Sequence, residues 1–286
     1  MSRIESPSNP RIAAALRAVE KGERMLLEGR RMVEDALDAG VPLEEVFIQD
    51  EMSEENEGFL GRVRGAGAAA SAEPRITAVS ARVLRRISEL PSSRGITALA
   101  PPPHRTLASL TPSQKRSSPN VTRTAAIPTV RGSEAEVSSS LFLLLDDVQD
   151  PANVGAILRC GEAFGVAAAL LTPGCAWPFS PRALRASAGS ALRLPVAARV
   201  PATEAVVWAR AARATLAGAE AHGGAPPESA ARVRPLVLVV GSEGRGISPD
   251  LEAALDRRLT LPLGGRVESL NAAVAAGLLL FVLTRP

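Results

Sequence analysis

DVQDPANVGAILRCGEAFG (residues 147–165), VVGSEGRGIS (239–248) and LPLGGRVESLNAAVA (261–275) are the stretches that decide how this chain folds. Each stands where an apolar run gives way to a glycine- or polar-rich loop and then to a helix-like segment. In an open α/β sheet, ligands bind in the crevice beyond the carboxyl ends of the strands. Three such junctions therefore predict one shared pocket, furnished by backbone N–H groups and by the side chains of Asn153, Arg159, Glu243, Ser269 and Asn271.

Outward from these stretches the pattern is one of strand–loop–helix units. Residues 141–145 (LFLLL) form a continuous apolar run, as expected of a strand buried on both faces. Further strands are expected over 167–171, 194–200, 236–240 and 259–263. Pro151-Ala152-Asn153 opens a helix through Phe164, with Asn153 as its cap. Other helices are expected over 181–189, 202–214, 249–255 and 269–283, the last capped by Ser269. The fold class is α/β, a mostly parallel sheet with helices on both faces.

Ahead of this region, residues 1–100 read as a small α/β domain. Helical spacing covers 12–19, 26–39 and 82–90, strands are expected at 46–48 and 95–100, and an acidic loop covers 50–57. Between the two regions, residues 101–139 begin PPPH and continue as an aperiodic Ser/Thr/Pro/Arg mixture. Such a composition buries too little apolar surface to order itself, which predicts a flexible linker.

The 286 residues suffice for two cores, and 46% hydrophobic with 22% charged residues is ordinary for a soluble globular chain. Aromatics make up 3% with no tyrosine, which argues against base stacking as the main mode of binding. The formal charge of +3 permits a nucleic-acid partner without requiring one. Two cysteines, Cys160 and Cys175, offer no disulfide framework, and no Cys/His spacing suggests a metal. The amino-terminal MSRIESPSNPR lacks an apolar signal core, and the longest apolar run, 272–283, is short of the ~20 residues that span a bilayer. These features lead to the expectation of a cytoplasmic protein with neither membrane nor metal.

Taken singly, each motif has an ordinary reading. GSEGRG (241–246) is neither GxGxxG nor a P-loop, and a glycine-rich turn is often only a turn. Gly264-Gly265 followed by a capped Ala/Leu helix is a common supersecondary unit. Asn153 and Arg159 lie six residues apart, about 240° around a helix, so they converge only if Asn153 projects from the helix end.

Taken together, DPxNxGAxxR, GSEGxG and LPLxGxVxSLN, in this order, resemble the SPOUT superfamily, specifically the SpoU (TrmH) family of RNA ribose 2′-O-methyltransferases. RASAGS (185–190) followed by Leu194-Pro195-Val196 is similar to that family's intermediate segment, so the likeness covers roughly residues 140–286. LLEGRRMVEDALDAGVPLEEVFI, near the amino terminus, resembles the L30e-like substrate-binding domain that often precedes this catalytic domain.

The resemblance implies a carboxyl-terminal trefoil knot, a feature composition alone would never suggest. It implies S-adenosylmethionine as cofactor, held by Gly241, Leu261 and Leu270 with their neighbours Val240, Ser242, Gly246 and Leu263. It also implies a homodimer whose active site is completed across the interface, and an RNA substrate, ribosomal before transfer RNA. Arg159, Asn153, Glu243, Ser269 and Asn271 match the family's polar and catalytic positions. A guanidinium is a strong donor and a very poor base, so Arg159 is expected to bind phosphate or the developing alkoxide rather than act as a base. Asn153 and Asn271 are expected to orient the ribose and Arg159, and Glu243 to order the loops. His104 and His222 fall outside all three motifs. Two other classes remain as alternatives: a nucleotide-cofactor-binding oxidoreductase using GSEGRG as its phosphate turn, and a non-catalytic RNA-binding relative.

Overall fold

A computed structural model describes residues 2–50, 57–69, 73–88, 95–110 and 140–285. They form two compact units. One takes in the described residues up to Pro103 with the stretch Phe179–Arg185, and the other the remainder from His104 onward.

The first unit is a five-stranded mixed sheet with strands β1 (Ser2–Ile4), β2 (Met25–Glu28), β3 (Glu45–Gln49), β4 (Arg75–Val79) and β5 (Ile96–Ala100), in the order β1-β4-β3-β5-β2. Helices α1 (Pro10–Glu20), α2 (Arg30–Asp38), α3 (Glu57–Ala69) and α4 (Ala81–Ile87) connect them. The expected helix over 26–39 is corrected here. Met25–Glu28 is a fully buried strand, and the chain turns at Gly29 with φ 84° before α2 begins. Only glycine takes that backbone angle without strain, and the turn separates two apolar runs that periodicity alone joins into one helix. Most of the acidic loop, residues 51–56, lies outside the described residues.

The second unit is a six-stranded sheet whose pairings are all parallel: β6 (Leu141–Leu145), β7 (Ala168–Leu171), β8 (Val196–Ala197), β9 (Thr215–Glu220), β10 (Leu236–Val240) and β11 (Arg257–Thr260), in the order β11-β9-β10-β6-β7-β8. Helices α5 (Pro151–Ala163), α6 (Pro181–Ser187, most of it within the stretch grouped with the first unit), α7 (Ser190–Arg193), α8 (Ala202–Ala211), α9 (Pro249–Glu252) and α10 (Ala272–Leu283) intervene between or follow the strands. On one face Phe142, Leu144, Leu170, Leu216, Val237 and Val239 pack with Trp208 of α8, which meets Phe142 edge-on at 5.1 Å. On the other face α5 comes so close that a Cβ at Gly161 would lie 2.8 Å from Leu143 Cδ1.

The strand β9 had no counterpart in the sequence reading. Its TLAGAE is poor in β-branched and aromatic residues, and its glycine is there for space: a Cβ at Gly218 would stand 2.5 Å from Leu255 Cδ1. Residues 101–110, expected as the start of the linker, include a 3₁₀ turn at Leu107–Leu110 whose Leu110 is buried in the second unit's core. Residues 111–139 lie outside the described residues.

Candidate functional site

Because β6, β9, β10 and β11 are parallel, their carboxyl ends point to one edge. There lies a cavity of about 350 Å³, within the range of ~300–1,000 Å³ that encloses a cofactor-sized ligand. Its wall is built from the end of β9 (Ala219–His222), the turn after β10, and the segment between β11 and α10. Val240, Gly241, Ser242, Gly246, Leu261, Leu263 and Leu270 all line it, as do Glu243 and Ser269.

The turn after β10 is tight. Ser242 and Gly246 exchange two backbone hydrogen bonds, Ser242 N to Gly246 O at 3.0 Å and Gly246 N to Ser242 O at 2.9 Å. Gly246 holds φ 69°, and a Cβ on Gly241 would lie 2.3 Å from the Gly246 carbonyl. The glycines thus bring bare backbone to the cavity wall, where a ligand can approach the main chain closely.

Three polar side chains from the three motifs meet at the rim. Asn153 Nδ2 donates to Glu243 Oε1 at 2.8 Å, and Asn271 Nδ2 donates to the same oxygen at 2.8 Å and to Asn153 Oδ1 at 3.1 Å. The Ala272 amide adds a fourth contact, at 3.3 Å to Glu243 Oε1. The Glu243 carboxylate therefore ties the β10 turn to the first turns of both α5 and α10.

Two caps differ from the sequence expectation. The cap of α5 is Asp150, which accepts from Ala152 N at 2.9 Å, and this leaves Asn153 in the first turn with its amide free to cross to Glu243. The cap of α10 is Asn271 rather than Ser269: its Oδ1 accepts from Ala273 N at 2.9 Å and Val274 N at 3.2 Å. One residue thus caps the helix with its oxygen and joins the network with its nitrogen. The poor helix propensity of asparagine is no obstacle at a cap.

Arg159 stands apart. It lies six residues beyond Asn153, about 9 Å along the helix axis, exposed and without a hydrogen bond or ion pair among the described residues. It does not line the cavity. An exposed cation with no partner among the described residues can meet an anionic ligand.

A second carboxylate pair braces the site from below. Asp146 is buried at the end of β6; its Oδ2 accepts from Ser248 N at 2.7 Å and its Oδ1 from the Thr172 hydroxyl at 3.1 Å. Beside it Asp147, with φ 56°, pairs with Arg245 at 3.1 Å. Neither cysteine is poised as a nucleophile, since burial pushes both the Cys160 and Cys175 thiols up from the ordinary range. No metal-holding cluster occurs among the described residues, and no helix there is long and apolar enough to cross a membrane.

The sequence reading missed Glu220 and His222 as cavity residues. Glu220 ends β9 and His222 follows it, so recognising that strand, with the Gly223-Gly224 turn beyond it, would have placed both at the carboxyl edge.

Residues 140–281 match the SpoU rRNA Methylase family, and residues 17–98 match the MRM3-like substrate binding domain. An uncharacterised tRNA/rRNA methyltransferase of Mycolicibacterium vanbaalenii is 33% identical over 152 residues, which are 53% of this chain and 48% of that relative. The chain thus spans about half the length of the curated relatives it matches. The crystal structure of an RNA 2′-O ribose methyltransferase superposes with a TM-score of 0.71 at 28% identity, covering 98% of this chain and 97% of the other. An AdoMet-bound rRNA methyltransferase from Sinorhizobium meliloti superposes with a TM-score of 0.78 at 22% identity, covering 99% and 97%, and so shares the fold. The chain belongs to the SpoU methylase family of the SPOUT superfamily through its carboxyl-terminal domain, with an MRM3-like substrate-binding domain ahead of it.

Proposed function

We propose that this protein transfers a methyl group from S-adenosylmethionine to a ribose 2′-hydroxyl of structured RNA, ribosomal RNA first and transfer RNA as the alternative. The observation that carries this reading is the joining of Asn153, Glu243 and Asn271 at the rim of a glycine-walled cavity. A binding module has no use for such a triad beside a cofactor-sized cavity. An oxidoreductase reading lacks the GxGxxG fingerprint.

The cavity suits the cofactor on its own chemistry. Val240, Leu261, Leu263, Leu270 and Leu279 offer an apolar wall, and the Gly241–Gly246 turn offers main-chain groups with no side chain in the way. Glu220, Glu243 and Glu268 place carboxylates around it, and among the described residues no lysine or arginine lines it, which complements a cation. When bound, S-adenosylmethionine supplies a methyl group activated on a sulfonium centre.

The chain's own residues have three tasks. Asn153 and Asn271, held rigid by Glu243, position the ribose, and fixed geometry of this kind removes much of the entropic barrier. Arg159 binds the phosphate of the reacting nucleotide or the oxygen as it becomes anionic. A guanidinium is a hydrogen-bond donor with no acceptor, so the hydroxyl proton passes to a group on the RNA or to solvent. Asp146 holds the β10 turn against β6 through Ser248.

A homodimer is part of this proposal. The helix α10 is apolar all round, yet Val274, Leu278 and Phe281 are 51%, 44% and 40% exposed at the i, i+4, i+7 spacing of one stripe. An all-apolar helix is stable when covered on every side, and a second copy supplies the cover. The trefoil knot and a cytoplasmic site of action complete the reading. Its test is incubation of the full chain with methyl-labelled cofactor and ribosomal or transfer RNA, followed by alkaline hydrolysis. Label retained in alkali-resistant dinucleotides supports ribose methylation, whereas label recovered only in mononucleotides would refute it.

A further inference from the structure

The first unit carries its cations unevenly. Among the described arginines ahead of α4, Arg3, Arg11, Arg24, Arg30, Arg31 and Arg62 each pair with a carboxylate. The others, Arg17, Arg64 and Arg75, stand one to an element, on α1, α3 and β4. Helix α4, ARVLRRI, departs from this pattern, with three arginines in seven residues and no acid. Arg82, Arg85 and Arg86 are all exposed, and none has a hydrogen bond or ion pair among the described residues.

The apolar side of α4 sets the direction of these side chains. Val83, Leu84 and Ile87 are buried and pack with Phe47, Val79 and Leu99 of the sheet. At 100° per residue the three arginines fall within about 100° of the circumference, roughly opposite that apolar side, and within about 6 Å along the axis. Ser80 fixes the start of the helix: its Oγ accepts from Val83 N at 3.4 Å and donates to the Glu5 carbonyl at 3.2 Å. Three guanidinium groups therefore project together from an anchored helix.

The helix itself gains little from them. Cations suit the last turn, where Arg85 and Arg86 stand, but not the first, where Arg82 lies. Like charges at i and i+4, here Arg82 and Arg86, repel each other. What such a set does fit is a row of phosphates, whose oxygens guanidinium groups meet in parallel pairs of hydrogen bonds. The helix has no aromatic or amide side chain with which to read a base, so its contacts would go to the backbone alone. It also lies within residues 17–98, the stretch that matches a substrate-binding domain.

We propose that α4 is a phosphate-docking face of the first unit, on which Arg82, Arg85 and Arg86 hold the backbone of a structured RNA without regard to its sequence. The inference rests on RNA being the substrate and adds a second point of attachment, on a different unit from Arg159.

The test is binding of a fluorescein-labelled RNA hairpin to the full chain, read by anisotropy at salt from about 50 to 200 mM. The triple variant Arg82→Ala, Arg85→Ala, Arg86→Ala binds at least ten-fold more weakly at the lower salt. Its slope of log affinity against log salt falls by about two, since each phosphate contact contributes ~0.7–0.9. A hairpin of scrambled sequence loses as much. The S-adenosylmethionine affinity of this variant stays at the wild-type level, and its thermal unfolding stays there or rises, because alanine is the better helix former and no ion pair is broken. The control Arg30→Ala, Arg31→Ala, Arg62→Ala removes the same charge from arginines already matched to carboxylates, and keeps most of the affinity and slope. Equal losses in both triple variants, or wild-type affinity in the α4 variant, overturn the docking face and leave the methyltransferase reading intact. A wild-type chain that binds neither the hairpin nor ribosomal or transfer RNA overturns both.

Discussion

Gly241 is the residue on which the cofactor cavity most depends. A Cβ there would lie 2.3 Å from the Gly246 carbonyl, and backbone, unlike the end of a flexible side chain, has nowhere to retreat. Gly241→Ala is therefore expected to open the Ser242–Gly246 hairpin and weaken cofactor binding at least ten-fold, about 1.4 kcal/mol, measurable by calorimetry. Asn271 serves two ends, and substitution separates them. Asn271→Asp keeps a side-chain oxygen for the Ala273 and Val274 amides but loses the Nδ2 donor and sets a second carboxylate against Glu243. It is expected to unfold in urea nearly as the wild type does while losing methyl transfer. Asn271→Ala loses the cap as well, at roughly 1 kcal/mol. Arg159→Ala is expected to bind cofactor normally and transfer methyl groups at least ~100-fold more slowly; loss of cofactor binding in it would place Arg159 in a different role.

At the scale of elements, small residues bring α5 close to α10 and to the sheet, and an ion pair ties α5 to α7. Gly277 of α10 faces Cys160 of α5, where a Cβ would lie 3.2 Å from the sulfur. Glu162 on α5 takes two hydrogen bonds from Arg193 on α7, at 2.5 and 2.8 Å. The Arg193 guanidinium, aided by Ser190, holds the Glu162 carboxyl below its ordinary value against the opposing effect of burial. A lowered folded-state value means stability that is present above the ordinary glutamate value of ~4.3 and is lost as pH falls through the folded one. Glu162→Gln should thus be less stable than wild type at neutral pH, the gap closing progressively in acid; a gap independent of pH would contradict the pairing. Partial exposure of both partners keeps the effect small.

The same scale shows what the sequence could and could not reveal. LFLLL and LVLVV announced β6 and β10, since continuous apolar runs belong to strands buried on both faces. TLAGAE did not announce β9, because its place in the sheet is set by Leu255 and the neighbouring strands rather than by propensity. With β9 hidden, Glu220 and His222 were hidden too. The residues lining the cavity from the glycine turn and the 261–270 segment were legible from their motifs. The caps were not: Asp150 and Asn271 hold the helix ends, and deciding between neighbouring cap candidates requires the backbone path.

For the molecule as a whole, the parallel sheet of the second unit places its motif junctions at one edge, so the cavity and the polar triad are neighbours by topology. The apolar stripe of α10 extends this to assembly. Leu278→Glu with Phe281→Glu is expected to turn a dimer into a soluble monomer in sedimentation velocity, and a wild-type monomer would remove the dimer from the account. The most direct measurement is calorimetric titration of the full-length chain with S-adenosylmethionine and, separately, with NAD. The account predicts saturable binding of S-adenosylmethionine that is weakened in Gly241→Ala, and no binding of NAD; NAD binding, or S-adenosylmethionine binding indifferent to that substitution, would contradict it.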